Sequence, residues 1–214
     1  MKTTFFNALS AILIFLTSSS YGEEQIKPEL YVFVGQKIEV VEFQPEEEEG
    51  WISWDYAFKA KYKVLENVYG DLKVDTIEFT AYDHYGIPPF SEYEYVLLYL
   101  AKHDGEFYHE KYLFSPLYKT KDNQWAGIYS SDYLHPYNKN TKIRPEKIDF
   151  EPDVVRDIGE IIEKYSDDEI KEWFPEPYFR IEGNKAIAEY GNYIPELIQL
   201  KKDSVLKARG WKFD

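Results

Sequence analysis

From residue 58 to 64 the chain reads FKAKYKV, with Phe58, Ala60, Tyr62 and Val64 on one side and Lys59, Lys61 and Lys63 on the other. A strict period of two with one apolar and one charged face predicts a strand of an antiparallel sheet, half in a core and half in water. Upstream, LYVFVGQKIEVVEF (30–43) is dominated by β-branched and aromatic side chains and predicts the first strand, with Gly35 where a bulge or bend belongs. Downstream, LENVYGDLKVD carries a Gly70-Asp71 turn, and the chain re-enters a strand at Thr76 with Ile77, Phe79 and Ala81 on one face. The same parity puts Asp83 on that face and His84 on the opposite one. YEYVLLYL (93–100) and FYHEKYLF (107–114) predict two more strands, and Asp104-Gly105 between them is a favoured hairpin turn. That turn pairs residue 103 with 106 and residue 100 with 109. TKDNQW (120–125) signals a further hairpin, so the first 130 residues read as five or six antiparallel strands.

The pattern changes after HPYNKNTKIRPEK (135–147). Pro152 at a first helical position introduces Val154, Val155, Ile158, Ile161, Ile162 and Tyr165, a stripe at helical spacing that should face the core. Ser166 with Glu169 three residues on is a capping box for a short helix that Pro175 stops. A short extended pair is expected in YFRIEGNKAIAEY, and Pro195 opens a last helix that Gly210 ends. The expected fold class is α+β: a small antiparallel β-barrel followed by a helical C-terminal extension packed against it. The expected division is a signal peptide at 1–22, the barrel at 23–135, a linker at 136–150 and the helical segment at 151–214.

The signal peptide rests on Lys2, the apolar run Phe5 to Leu16, and small residues at Ser20 and Gly22. The apolar run is about half the roughly 20 residues that span a bilayer, so a transmembrane anchor is not expected. Cleavage near Gly22 places the mature chain in the periplasm or outside the cell. It removes one base and no acid, taking the net charge from −14 to −15. So acidic a chain lacks the basic footprint of nucleic-acid binding. With no cysteine there is no disulfide framework, and stability must come from packing.

The order VFVGQKIEV, an acidic loop, FKAKYKVLENVYGD, DTIEFTAY and YVLLYL resembles the netrin-like form of the five-stranded oligonucleotide/oligosaccharide-binding (OB) barrel, shared by secreted bacterial proteins and the tissue inhibitors of metalloproteinases. The VLENVYGD turn is its most specific part, and the likeness covers residues 30–115. It implies an OB-like barrel. The family's inhibitors hold the enzyme's metal through an N-terminal cysteine, which this chain lacks, so that mechanism does not carry over, and such barrels host many functions.

His84, His103, His109 and His135 are the only imidazoles, and none stands in a zinc-ligand spacing, so neither a metal nor another cofactor is expected. Asp83-His84 reads either as a solvated strand end or as a recognition patch flanked by Tyr82 and Tyr85. A catalytic pair would lack a nucleophile, since there is no cysteine and no G-x-S-x-G elbow. Trp51 and Trp54, beside the Glu46–Glu49 run, either fold back over the barrel end or stand out as an aromatic platform. The reading that follows is an exported, noncatalytic binding protein for a protein or carbohydrate ligand. Its alternatives are a cell-envelope hydrolase using carboxylates, or a cysteine-free protease inhibitor.

Overall fold

The structure, a computed structural model, describes residues 29–45 and 54–213, with only the backbone at Ser131 and Asp132. The expected signal peptide, the Glu46–Glu49 run and Trp51 lie outside the described residues. Five strands close into a barrel: β1 (Glu29–Phe43), β2 (Tyr56–Tyr69), β3 (Thr76–Asp83), β4 (Tyr95–His103) and β5 (Glu106–Pro116), in the order β1-β2-β3-β5-β4 with β4 returning to β1. Four of these pairings are antiparallel; three join consecutive strands, as hairpin patterning leads one to expect, and the fourth closes β1 on β4. The fifth, β3 with β5, is parallel and consists of the single pair Thr80↔Tyr108. The barrel is therefore mixed rather than antiparallel throughout, and its strand order is compatible with an OB-like fold.

β1 joins both of its neighbours by bending, with register shifts at Val32/Phe33, Val34/Gly35 and Lys37/Glu39. At Gly35 a Cβ would lie 3.0 Å from both Phe33 Cε2 and Tyr62 Cδ1, so the bulge takes the one residue without a side chain. Phe33, Phe58, Tyr62, Phe79, Phe90, Leu98 and Leu100 fill the interior. On the outer face of β1 and β4, Val32, Val34, Leu97 and Tyr99 are equally buried, covered by Ile194, Leu197, Ile198 and Leu206 of the C-terminal helix. That double burial is why YVLLYL reads as a continuous apolar run instead of alternating.

The rest of the chain holds more strand than its helical pattern predicts. β6 (Tyr118–Lys119) and β7 (Trp125–Ile128) form the expected hairpin, but they join β8 (Glu146–Lys147) and β12 (Tyr190–Tyr193) in a four-stranded sheet outside the barrel. β7 and β12 approach so closely that a Cβ on Gly191 would fall 1.9 Å from the Gly127 carbonyl oxygen. β9 (Val155–Asp157) pairs with β11 (Lys185–Ala188), which pairs in turn with β10 (Phe179–Glu182).

The helix expected from Pro152 is thus a correction: 155–157 is strand, and α1 covers only Gly159–Lys164. Of its supposed core stripe, Val154 and Ile158 are buried, whereas Val155, Ile162 and Tyr165 are exposed. α2 (Asp167–Trp173) carries the full capping box of Ser166 and Glu169. α3 (Ile194–Lys201) starts with Pro195 in its first turn and continues as a π-helical turn, Lys202–Leu206. Gly210, at φ +88°, ends it.

Candidate functional site

β1 ends and β2 begins at one end of the barrel, and β3 also ends there, so the segments around Trp54 and Asp83 converge. Asp83 is not the solvated strand end that its position suggested. It keeps the parity of Ile77, Phe79 and Ala81, is 4% exposed, and its Oδ1 accepts the Tyr85 N–H at 2.9 Å, turning the chain out of β3. His84 points the other way and is exposed; its Nδ1 lies 3.2 Å from the Trp54 carbonyl oxygen and 3.4 Å from Asp55 Oδ1. Both neighbours are acceptors, so Nδ1 carries the hydrogen.

The turn and the β1–β2 connection present their rings to solvent. Trp54 is 79% and Tyr85 87% exposed, which among the two readings of Trp54 favours the platform. Tyr56, Ile87 and Tyr112 add further exposed apolar surface. The Tyr85 and Tyr112 rings lie 6.3 Å apart, and His84 meets Tyr85 edge to face at 5.3 Å. Tyr82 is not part of this cluster. It is half-buried on the other face of β3, its phenol held above the usual value by burial and then by Tyr108. The structure therefore brings together Trp54, His84 and Tyr85, leaves Asp83 beneath them as a positioning group, and sets Tyr82 apart.

Asp55, Lys111 and Tyr112 complete the cluster and were missed in the sequence. The Lys111 Nζ sits 2.6 Å from Asp55 Oδ2 and 5.3 Å from the Tyr112 ring centre. Burial pushes the Lys111 ammonium down, but Asp55 and, less strongly, Tyr112 together hold the group above its ordinary value. Lys111 and Tyr112 are displaced from the β5 ladder: Leu100 pairs with His109 and Leu98 with Phe114, so one β4 residue faces four on β5. Tyr112 takes φ +66°, a left-handed conformation costly for a bulky side chain. The signal available in the sequence was the loss of alternation in EKYLF, two charges followed by three apolar residues.

Tyr112 also lines a cleft of about 540 Å³ between the barrel and the outer elements, with Tyr93 and Phe114 on one side and Tyr129, Tyr133 and Trp173 on the other. Tyr129 stacks on Tyr178 at 4.0 Å and on Tyr133 at 5.6 Å. Beneath this stack Asn192, 1% exposed, accepts from the Tyr133 hydroxyl and donates to Glu196 Oε2 at 2.8 Å and to the Arg144 carbonyl at 3.0 Å. A second hollow of about 730 Å³, lined by Tyr31, Tyr69, Trp211 and Phe213, lies at the opposite end of the barrel.

The four histidines are dispersed. His84 is at the aromatic end, His103 at the second hollow, His109 in the barrel and His135 capping the turn Pro136–Asn138. Among the described residues no three His, Asp or Glu side chains are grouped to hold a metal ion. No helix among them is long and apolar enough to cross a membrane. No family model, curated protein or solved structure matches this chain.

Proposed function

We propose that this is an exported, noncatalytic binding protein that contacts a protein or carbohydrate ligand through the aromatic end of its barrel. The observation that carries the proposal is the exposure of Trp54 and Tyr85 beside a structured polar network, Lys111–Asp55–His84. Loose surface rings are ordinary, but large rings grouped on one end of a barrel and backed by an ion pair and its hydrogen-bonded neighbours supply flat contact area at low entropic cost. In the same proposal the barrel is kin to the netrin-like ones, on the strength of its strand order and the VLENVYGD turn. Export rests on the N-terminal leader pattern, and intact mass of the mature protein should begin near Glu23.

The test compares the wild-type chain with the double variant Trp54→Ala, Tyr85→Ala on envelope extract and on a glycan array. Both positions are exposed, so melting should change little. A species or glycan retained by wild type, lost with the double variant and kept with Tyr82→Ala is the expected result. Equal retention by both proteins would mean that the barrel end is not the contact surface.

A further inference from the structure

We infer that Arg209, at the end of the C-terminal helix, is a positioning residue for the aromatic barrel end and acts on it through the β5 bulge. The inference concerns the control of the surface proposed above, and rests on that reading only for its consequence in binding.

The connection can be followed atom by atom. Arg209 gives one guanidinium nitrogen to Glu110 Oε2 at 2.7 Å and the other to the Lys111 carbonyl at 2.7 Å. Two donors on one planar group fix the first half of the bulge in position as well as in charge. The next link is the Lys111 side chain, which reaches Asp55 Oδ2 at 2.6 Å, and Asp55 Oδ1 lies 3.4 Å from His84 Nδ1. The bulge's third residue, Tyr112, faces Tyr85. Each of the two segments that form the surface, 54–56 and 83–85, is thus held to the bulge, and the bulge is held to residue 209.

The bulge needs holding. Its four residues face a single residue of β4, so the ladder that fixes the rest of β5 contributes least there, and Tyr112 is kept in a conformation that a free strand would abandon. From inside the barrel it is braced by His109, whose Nε2–H is donated to the Leu113 carbonyl at 2.9 Å. From outside, Arg209 is the brace. Arg209 is itself placed by the helix end: its amide bonds to the Val205 and Leu206 carbonyls, and Trp211 N–H bonds to Leu206 O. Seating of the C-terminal helix on Val32, Val34 and Leu97 is thereby coupled to the geometry of a surface on another side of the barrel.

The experiment needs no ligand. Amide resonances are followed by NMR in the full mature chain for wild type, Arg209→Gln, Arg209→Lys, Lys111→Met and the double variant Arg209→Gln, Lys111→Met. With Arg209→Gln we expect shifts at 110–113 and also at Asp55, His84 and Tyr85, with about tenfold faster amide exchange around the bulge, as befits loss of charge-assisted hydrogen bonds. Arg209→Lys, which keeps the charge at Glu110 and loses the fork of two nitrogens that reaches both partners, should fall between. In the Lys111→Met background the shifts at Asp55 and His84 on changing Arg209 should vanish, because the link is cut.

If Arg209→Gln leaves Asp55, His84 and Tyr85 unshifted, or if the shifts at Asp55 and His84 persist without Lys111, the inference is overturned. A surface that shifts as expected while a ligand captured by wild type is held equally by Arg209→Gln would leave the coupling standing and remove the barrel end as the contact surface.

Discussion

The imidazole of His109 and the carbonyl of Leu113 are joined at 2.9 Å across the bulge of β5, so a titratable ring inside the barrel holds the strand that forms the aromatic end. His109 as a residue is half-buried, but its ring is enclosed, 4.6 Å from Phe90 and 6.3 Å from Phe79, and that enclosure governs its chemistry. Burial pushes its pKa down to about 4; the bond to Leu113 pulls the other way, and Arg209 adds to the lowering.

The first prediction is a pH dependence. A histidine with a depressed pKa in the fold is neutral there, and its contribution is complete above the unfolded value near 6.5 and is lost as pH falls towards 4. Over that window the lost stability should approach about 3 kcal/mol. Urea titrations of wild type and His109→Gln at a series of pH values check this. The difference in unfolding free energy should change steeply between pH 6.5 and 4 and be flat above 7, and parallel curves throughout would refute it.

Asp83 and His84 should separate under mutation. Asp83→Ala removes the acceptor of the Tyr85 N–H at a buried position and should cost about 1–2 kcal/mol. His84→Ala, at an exposed position, should stay within about 0.5 kcal/mol. Thermal melts of the two single variants decide it, and equal melting temperatures would show that the turn does not depend on Asp83.

Tyr62→Phe should be neutral or stabilising by up to about 1 kcal/mol. The Tyr62 hydroxyl is fully buried without a hydrogen-bond partner among the described residues, and burial holds its pKa well above the ordinary phenol value. Deleting an unsatisfied polar atom while keeping the ring removes a desolvation cost and no contact of the aromatic core. Chemical denaturation of the two proteins measures the difference. A loss of more than 1 kcal/mol would mean that the hydroxyl is bonded.

Much of the barrel was legible because three of its five junctions, β1–β2, β2–β3 and β4–β5, join consecutive antiparallel strands. Asp104-Gly105 gave His103↔Glu106 and Leu100↔His109, both present. Gly35 marked a true register shift, and Ser166 with Glu169 a true capping box. What escaped is non-local. Period-two patterning cannot tell that β3 meets β5, or that Trp125–Ile128 will pair with Tyr190–Tyr193. Val154, Ile158 and Ile161 match a helical period because a short strand followed by one and a half turns of helix places apolar residues at the same spacings. Of the site, Trp54 and Tyr85 were visible as aromatic residues beside polar turns, but the sequence leaves open whether Trp54 folds back or stands out. Lys111 and Tyr112 were not, since they read as ordinary strand until a bulge turns them outward.

The single parallel pair Thr80↔Tyr108 gives this barrel a latch. Every other junction of the barrel is a ladder of many rungs, whereas along this line the two strands pair at one position. In mechanical terms the molecule is a curled five-stranded sheet clasped at one point. The clasp is the junction with the fewest paired residues, and so the one where ladder hydrogen bonds offer the least resistance to strain on β5.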